Sequence, residues 1–306
     1  MIKKCPVCGK DKIIVLYKNL KDKDFFIDGI FRLLKCKCCG LEFLEPRLNE
    51  KELSKYYPKN YYSFYNYNKL ALLYHKISAY YYSRKGGVIK FLLEPFRPLF
   101  YTYYIKWGKS VLEIGCGNGM KLHIYQKYGM KTAGIEPYIE KITEAEKKIG
   151  VIKTTIEKAP YKKNSFDYII LKEVLEHIPD QKKVLKKCYE LLKKYGKLII
   201  TIPNTKSLWN IKFKENWYGY DIPRHLYNYN PKNIKIILKK FNFKIEKIRI
   251  YDLPYMLDGS LKFKKSRNPN KKLFIFSNFT KIITAPVSLI VSYLKLGSIM
   301  EITCSK

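Results

Sequence analysis

From residue 110 onward, the apolar positions of this chain alternate between two periods. The short apolar runs "SVLEIG", "KTAGIE", "VIKTTI", "SFDYIIL" and "GKLIITIP" read as buried strands. Between them, "MKLHIYQKYG", "IEKITEAEKKIG" and "DQKKVLKKCYELLKK" place apolar residues at helical spacing. Strands and helices alternating over short connections predict a parallel sheet covered on both faces. Ligands of such sheets bind at the carboxyl ends of the strands. Upstream, residues 69–83 have helical apolar spacing, Gly86-Gly87 breaks it, and residues 88–107 form a second helical region interrupted by proline. Residues 218–243, "YGYDIPRHLYNYNPKNIKIILKKFNF", read as a loop followed by an amphipathic helix. No internal repeat is found.

The segment 271–297, "KKLFIFSNFTKIITAPVSLIVSYLKLG", is apolar but broken by Lys281, Pro286 and Lys295, too short and interrupted to span a bilayer. It reads as a helical insert packed on the core ahead of a last strand, "SIMEITCSK". The alternative is a peripheral membrane contact through 271–297, helped by the flanking lysines.

Composition changes the picture in one respect. The chain of 306 residues is 47% hydrophobic and 15% aromatic, so it can bury a core, but its formal net charge is +34. Nucleic acid, an anionic membrane or an acidic glycan would suit such a charge. Only Arg32, Arg47, Arg84, Arg97, Arg224, Arg249 and Arg267 are arginines, and the other basic residues are lysines. Phosphate and base recognition favour the arginine fork, so the charge reads as the lysine-rich bias of an AT-rich genome, and nucleic acid ranks below a small-molecule or glycan acceptor. The first residues, "MIKKCPVCGK", lack an apolar stretch, and the expectation is a cytoplasmic chain in which paired cysteines bind metal.

Cys5 and Cys8 form one C-x-x-C-G turn, and Cys36 and Cys39 form another. Two-residue spacing lets both thiolates of a turn reach one ion, and four thiolates suit tetrahedral Zn²⁺. The strand-like runs between the turns complete a zinc ribbon, with Cys38 as the spare thiol. The zinc is expected to fold a segment too small to fold alone.

Three glycines in "VLEIGCGNG" (111–119) fall at the carboxyl end of the first strand and open a helix. Glycine there permits a tight turn and a close approach of ligand to backbone. The next strand ends in Glu136, where an acid suits the two hydroxyls of a ribose, so the pocket is expected to hold a ribonucleoside.

From Ser110 to Pro203, with a looser tail to the end, the chain resembles the class I S-adenosylmethionine-dependent methyltransferases. "VLEIGCGNG" looks like that family's first motif, Glu136 matches its ribose-binding acid, and "TTIEKAPYKKNSFDYIILKEVLEHIPD" (154–180) looks like its adenine-edge and fourth-strand block. The resemblance implies a doubly wound α/β, seven-stranded Rossmann-like methyltransferase sheet, with the zinc ribbon as a small N-terminal addition. It implies a cofactor set of Glu113, Gly115, Cys116, Gly117, Gly119, Glu136, Ile156, Glu157 and Leu171 for S-adenosyl-L-methionine. Thr155 stands where the family commonly has an acid, so adenine contact falls to the backbone near Ile156 and Glu157. Glu173-Val-Leu-Glu176-His177 is similar to a block that binds a divalent metal, such as Mg²⁺, in ubiquinone-type O-methyltransferases and small-RNA 2′-O-methyltransferases. In the latter a further histidine completes the site, and His225 is the counterpart here. The same block is common in members without metal, where Glu176 and His177 shape the strand-to-helix turn. Both readings stay open, with His177 as general base or hinge.

The ribbon, the linker "EPRLNEKELSKYYPKNYYS", the core and the Arg224-His225-Leu226 loop resemble a subset associated with cell-surface polysaccharide or lipid-linked sugar modification. The expected organisation is a ribbon at 1–45, an aromatic-rich linker and helical region at 46–107, and a methyltransferase domain at 108–306. Its acceptor-side loop and helix are expected at 205–243. The catalytic candidates are His177, Glu173, Glu176, His225 and Arg224. The expected reaction is methylation of a sugar, glycan or lipid-linked precursor, most naturally at oxygen. An RNA 2′-O-methyltransferase using a divalent metal and a non-catalytic nucleoside-binding regulator are the alternatives.

Overall fold

The computed structural model describes residues 2–58, 73, 105, 106, 108–265 and 278–306, with the side chains of 278–283 left out. The helical regions expected at 69–83 and 88–107 lie almost entirely outside these residues.

An N-terminal unit carries three antiparallel strands, β1 (Ile13–Leu20), β2 (Phe31–Cys36) and β3 (Glu42–Glu45), followed by a short helix α1 (Glu50–Ser54). Asn49 and Glu52 cap α1 reciprocally. The larger unit runs β4 (Ser110–Ile114), α2 (Met120–Lys127), β5 (Lys131–Ile135), α3 (Glu144–Lys148), β6 (Val151–Ile152), β7 (Phe166–Lys172), α4 (Gln181–Leu191) and β8 (Leu192–Pro203). It continues with α5 (Leu208–Phe213), β9 (Tyr227–Asn228), α6 (Pro231–Lys240), β10 (Lys244–Tyr251), α7 (Pro254–Lys265), α8 (Asn278–Tyr293) and β11 (Ile299–Ser305).

Seven strands form one sheet in the order β10-β11-β8-β7-β4-β5-β6. The sheet is mixed, because β11 runs antiparallel to both β8 and β10. Side-chain alternation shows why both faces must be covered. On β7, Tyr168 and Ile170 belong to one buried cluster while Ile169 and Leu171 belong to the other. On β8, Ile199 faces one way and Leu198 and Ile200 the other.

From β4 the chain winds outward through β5 to β6, then returns to β7 on the other side of β4. The crevice where the winding reverses lies between β4 and β7, the place where open α/β sheets bind ligands. Ile114, Ile135 and Leu171 are level across the sheet, so the three following loops emerge side by side.

Two expected helices are shorter than their apolar patterns. The pattern at 139–150 yields only Glu144–Lys148, because Thr143 and Glu146 form a capping box that starts the helix there. The helix expected through 194 ends at Leu191, because Leu192 already pairs with Phe166 of β7.

The N-terminal unit is not a separate body. β9 pairs antiparallel with β3 through Glu42↔Asn228 and Phe43↔Tyr227, giving the small sheet a fourth strand from the distant chain. The buried residues Val7, Leu33, Leu41 and Phe43 share one continuous apolar cluster with Leu112, Ile169 and Leu198. Among the described residues, no helix is long and apolar enough to cross a membrane.

Candidate functional site

A cavity of about 540 Å³ opens at the carboxyl ends of β4, β5 and β7, within the range usual for small-molecule sites. Its floor is the loop that follows β4. Gly115 and Gly117 take positive φ, +68° and +55°, which side chains adopt only under strain. A Cβ on Gly115 would also stand 2.4 Å from a Val174 methyl. The Gly115 N–H donates to Ile135 O at 2.7 Å, tying the loop to the neighbouring strand.

Glu136 is buried on the cavity wall and accepts from the N–H groups of Gly117 (3.0 Å) and Tyr138 (3.1 Å). Burial pushes its carboxyl up, and these two donors pull it back. A carboxylate can accept about four hydrogen bonds, so capacity for a ribose diol is left. Glu113, Cys116, Ile156 and Glu157 also line the cavity, as does Thr155. The residues present therefore fit a nucleoside with a polar ribose end and an apolar base slot formed by Ile135, Ile156 and Tyr138.

Two members of the expected cofactor set sit elsewhere. Gly119 caps α2 in the left-handed conformation with Ile149 and Val151 over it, behind the wall. Leu171 is buried in the apolar cluster beneath the cavity.

The catalytic candidates divide in the same way. Glu173 and His177 line the cavity, whereas Glu176, His225 and Arg224 lie behind it. Glu173 accepts from the Tyr255 hydroxyl at 2.9 Å. His177 Nδ1 lies 3.1 Å from Arg224 O and 2.8 Å from the Tyr57 hydroxyl. We assign the Nδ1 proton to the contact with Arg224 O, a carbonyl that can only accept, which leaves the lone pair on Nε2. Burial, and then the neighbouring His225, holds His177 well below the usual imidazole value, so it is neutral. His225 packs edge-to-face on His177 at 4.5 Å and donates from Nδ1 to Gly219 O at 2.8 Å.

Glu176 is 0% exposed, and neither carboxylate oxygen has a hydrogen-bond partner. Burial pushes its carboxyl well up. One ligand atom each from Glu176, His177 and His225 lie within 4.8 Å of one another. Glu173 is not part of that cluster.

The expectation that Arg224 meets the acceptor is corrected. Its guanidinium is 0% exposed and fully used inside the protein. Nε and Nη2 donate to Asp221 Oδ1 (2.8 and 2.6 Å), Nη1 and Nη2 donate to Asp22 (3.1 and 3.0 Å), and Nη1 reaches Tyr56 O (3.3 Å). The side chain clasps the N-terminal unit to the loop that carries His225, and it acts on the cavity only through its carbonyl on His177. Burial works to raise the Asp221 carboxyl, yet Arg224 holds it below the usual range.

Several cavity residues escaped the sequence reading. Tyr57 comes from the segment after the small sheet, stacks on Tyr138 at 5.0 Å and reaches His177. Lys121 and Lys172 also line the wall, facing Glu113. Burial lowers both amines. Lys121 left one readable sign: it stands in the first turn of a helix, where the macrodipole disfavours a cation.

The four cysteines Cys5, Cys8, Cys36 and Cys39 converge, with Sγ separations of 3.6 Å for Cys5–Cys39 and 3.5 Å for Cys8–Cys36. Tetrahedral zinc with Zn–S near 2.3 Å implies S···S of about 3.8 Å, so the set is compatible with one ion. Cys38 stands outside the cluster.

Comparison with known proteins follows the same lines. Residues 82–248 match the sequence model of a family described as a methyltransferase domain. The chain is similar to the mitochondrial ubiquinone biosynthesis O-methyltransferase of Mus musculus, 26% identical over 46% of this chain and 43% of that protein. It is also similar to the ubiquinone biosynthesis O-methyltransferase of Vibrio campbellii, 30% identical over 37% of this chain and 53% of that protein. The chain thus spans about half the length of the curated relatives it matches. A solved S-adenosylmethionine-dependent methyltransferase from Archaeoglobus fulgidus covers 76% of this chain with 100% of its own, at 20% identity and a TM-score of 0.42.

Proposed function

This chain belongs to the methyltransferase domain family, and we propose that it uses S-adenosylmethionine to methylate a hydroxyl of a sugar, glycan or lipid-linked precursor. The observation that carries the oxygen assignment is His177, neutral, on the cavity wall, with Nδ1 pinned and Nε2 left with its lone pair. The names of the curated relatives as O-methyltransferases favour the same atom. The sugar class rests on the resemblance of the ribbon, tyrosine-rich linker and Arg224-His225-Leu226 loop to enzymes of that kind.

In this reading the backbone of Gly115 to Gly117 and the Glu136 carboxylate hold the cofactor. When bound, S-adenosylmethionine supplies a methyl group already activated by its sulfonium. The protein's remaining task is to orient the acceptor and take its proton. His177 Nε2 accepts that proton, and Arg224 O at Nδ1 stabilises the imidazolium that forms. We propose further that Cys5, Cys8, Cys36 and Cys39 hold a structural zinc.

A second reading rests on Glu176. A fully buried carboxylate with no hydrogen-bond donor is costly unless a cation faces it. Glu176, His177 and His225 each offer one ligand atom within 4.8 Å of one another, a donor set fit for a divalent ion. Two imidazoles suit a transition metal such as Zn²⁺ or Fe²⁺ better than Mg²⁺. Metal analysis and activity after dialysis against a chelator separate the readings: undiminished activity in metal-free protein leaves His177 as the base.

The test of the acceptor is to incubate the protein and methyl-labelled S-adenosylmethionine with extract fractionated into lipid, polysaccharide, RNA, protein and small molecules. Label in glycan, lipid-linked sugar or sugar nucleotide is the expected result. Label in RNA alone would replace this acceptor with a nucleic acid.

A further inference from the structure

Helix α8 turns large apolar side chains outward. Its buried side carries small polar residues one turn apart, Thr284, Ser288 and Ser292, beside the buried Val291. Ser288 Oγ donates to Asp252 Oδ2 at 3.0 Å, Ser292 Oγ accepts from Asp252 N at 2.7 Å, and Thr284 Oγ1 reaches Pro254 O. The outward side is apolar. Ile290, Tyr293 and Leu294 are 61%, 62% and 62% exposed, with Val287 beside them. Amphipathic helices of water-soluble folds normally turn the apolar side inward. Here the hydrogen bonds to Asp252 hold the small polar residues inward.

The neighbouring elements expose apolar side chains as well. α7 packs on both α8 and α5 and exposes Leu261, α5 exposes Ile211, and Leu208 N donates to Leu296 O at 2.9 Å, joining α5 to the end of α8. The exposed charges on these three helices are lysines, and the exposed acid Glu215 lies just past α5. Lys212, Lys264, Lys265 and Lys295 are exposed. Among the described residues of α5, α7 and α8, the only acid is Asp258, which is buried and paired with Lys262 at 2.8 Å.

We infer that the face made by α5, α7 and α8 adsorbs to a bilayer surface carrying anionic headgroups. Apolar side chains of this size enter the headgroup boundary, and rim lysines draw the protein to negative lipid, each contributing while within a Debye length of the surface. A second protein copy would place like-charged rims against each other, and so fits less well than an anionic surface. Adsorption stands on the helix itself; only its use, bringing a lipid-linked acceptor to the cavity that Tyr255 of α7 adjoins through Glu173, rests on the function proposed above.

Flotation of the full chain with vesicles of phosphatidylcholine alone, or of phosphatidylcholine with phosphatidylglycerol, tests this. The chain floats with the anionic vesicles at low salt and stays behind with the neutral ones. Ile290→Ser/Leu294→Ser lowers the bound fraction at least tenfold while leaving the melting temperature and S-adenosylmethionine affinity unchanged. Lys264→Gln/Lys265→Gln/Lys295→Gln lowers it with anionic vesicles and removes the salt dependence. Failure of the unaltered chain to float, flotation indifferent to both variants, or a dimer in sedimentation that Ile290→Ser/Leu294→Ser dissolves would each overturn the inference. A chain that floats as described yet methylates no lipid or sugar fraction upholds adsorption and defeats the acceptor reading.

Discussion

Replacing Arg224 with methionine removes the clasp between the N-terminal unit and the loop beside the cavity. The guanidinium makes five hydrogen-bond contacts, four of them to the carboxylates of Asp22 and Asp221. Methionine fills similar volume, so the loss is electrostatic. It strands two buried carboxylates without a counterion. Breaking a buried pair by deleting one partner costs about 3–5 kcal/mol. For a chain of 306 residues each kcal/mol shifts the melting temperature by about 1.6 °C, so scanning calorimetry at neutral pH is expected to show a fall of about 5–8 °C. Arg224→Lys does not restore it, because an ammonium cannot fork to both acids. Adding Asp22→Asn and Asp221→Asn to Arg224→Met recovers part of the loss by discharging the stranded groups. The Arg224 carbonyl meets His177 Nδ1, so methyl transfer falls with the loop's order. A melting temperature unmoved in Arg224→Met, or lysine serving as well as arginine, would refute the clasp.

Other outcomes follow from the same geometry. Cys8→Ser or Cys36→Ser is expected to abolish about one equivalent of bound zinc in elemental analysis of the purified protein, and unchanged metal content would remove the thiolate site. Asp24 lies beside this clasp, where burial and then the Asp221 charge raise its carboxyl to about 7. A folded value above the unfolded one favours the protonated form, so its stabilisation is complete below the unfolded value and is lost as pH rises through about 7. Asp24→Asn is therefore expected to melt higher than the unaltered chain at pH 8 and alike at pH 4, and a gain confined to low pH would contradict that sign. Tyr57→Phe deletes the hydroxyl 2.8 Å from His177 Nδ1. One hydrogen bond of this kind is worth about 1 kcal/mol, so kcat is expected to drop about fivefold with the cofactor affinity held.

The half of the site made by local sequence was legible. The glycines after β4, Glu136 after β5 and the E-x-x-E-H block after β7 each follow a strand within a few residues, so period and spacing locate them together. The other half is made by contacts across the chain. Tyr57 reaches His177 over 120 positions, and Arg224 reaches Asp22 over 202. No pattern within either segment announces such a contact. Arg224 and His225 looked alike as polar groups in a loop, yet one is neutralised by two acids and the other stands against His177 and the unpartnered Glu176. The seventh strand, β11, was readable as a strand, but its antiparallel direction follows from the α7 and α8 pair that precedes it. The outward apolar face of α8 was hidden because its serines are buried by Asp252, whose position in sequence gives no hint of the pairing.

The central claim is that the cavity between β4 and β7 binds S-adenosylmethionine through the glycine loop and Glu136. Isothermal calorimetry of the purified chain with S-adenosylmethionine tests it directly. Saturable one-to-one binding is expected, with Glu136→Ala weaker by about 1.5–3 kcal/mol, roughly ten- to hundredfold in Kd. No binding by the unaltered chain, or native affinity in Glu136→Ala, would contradict it.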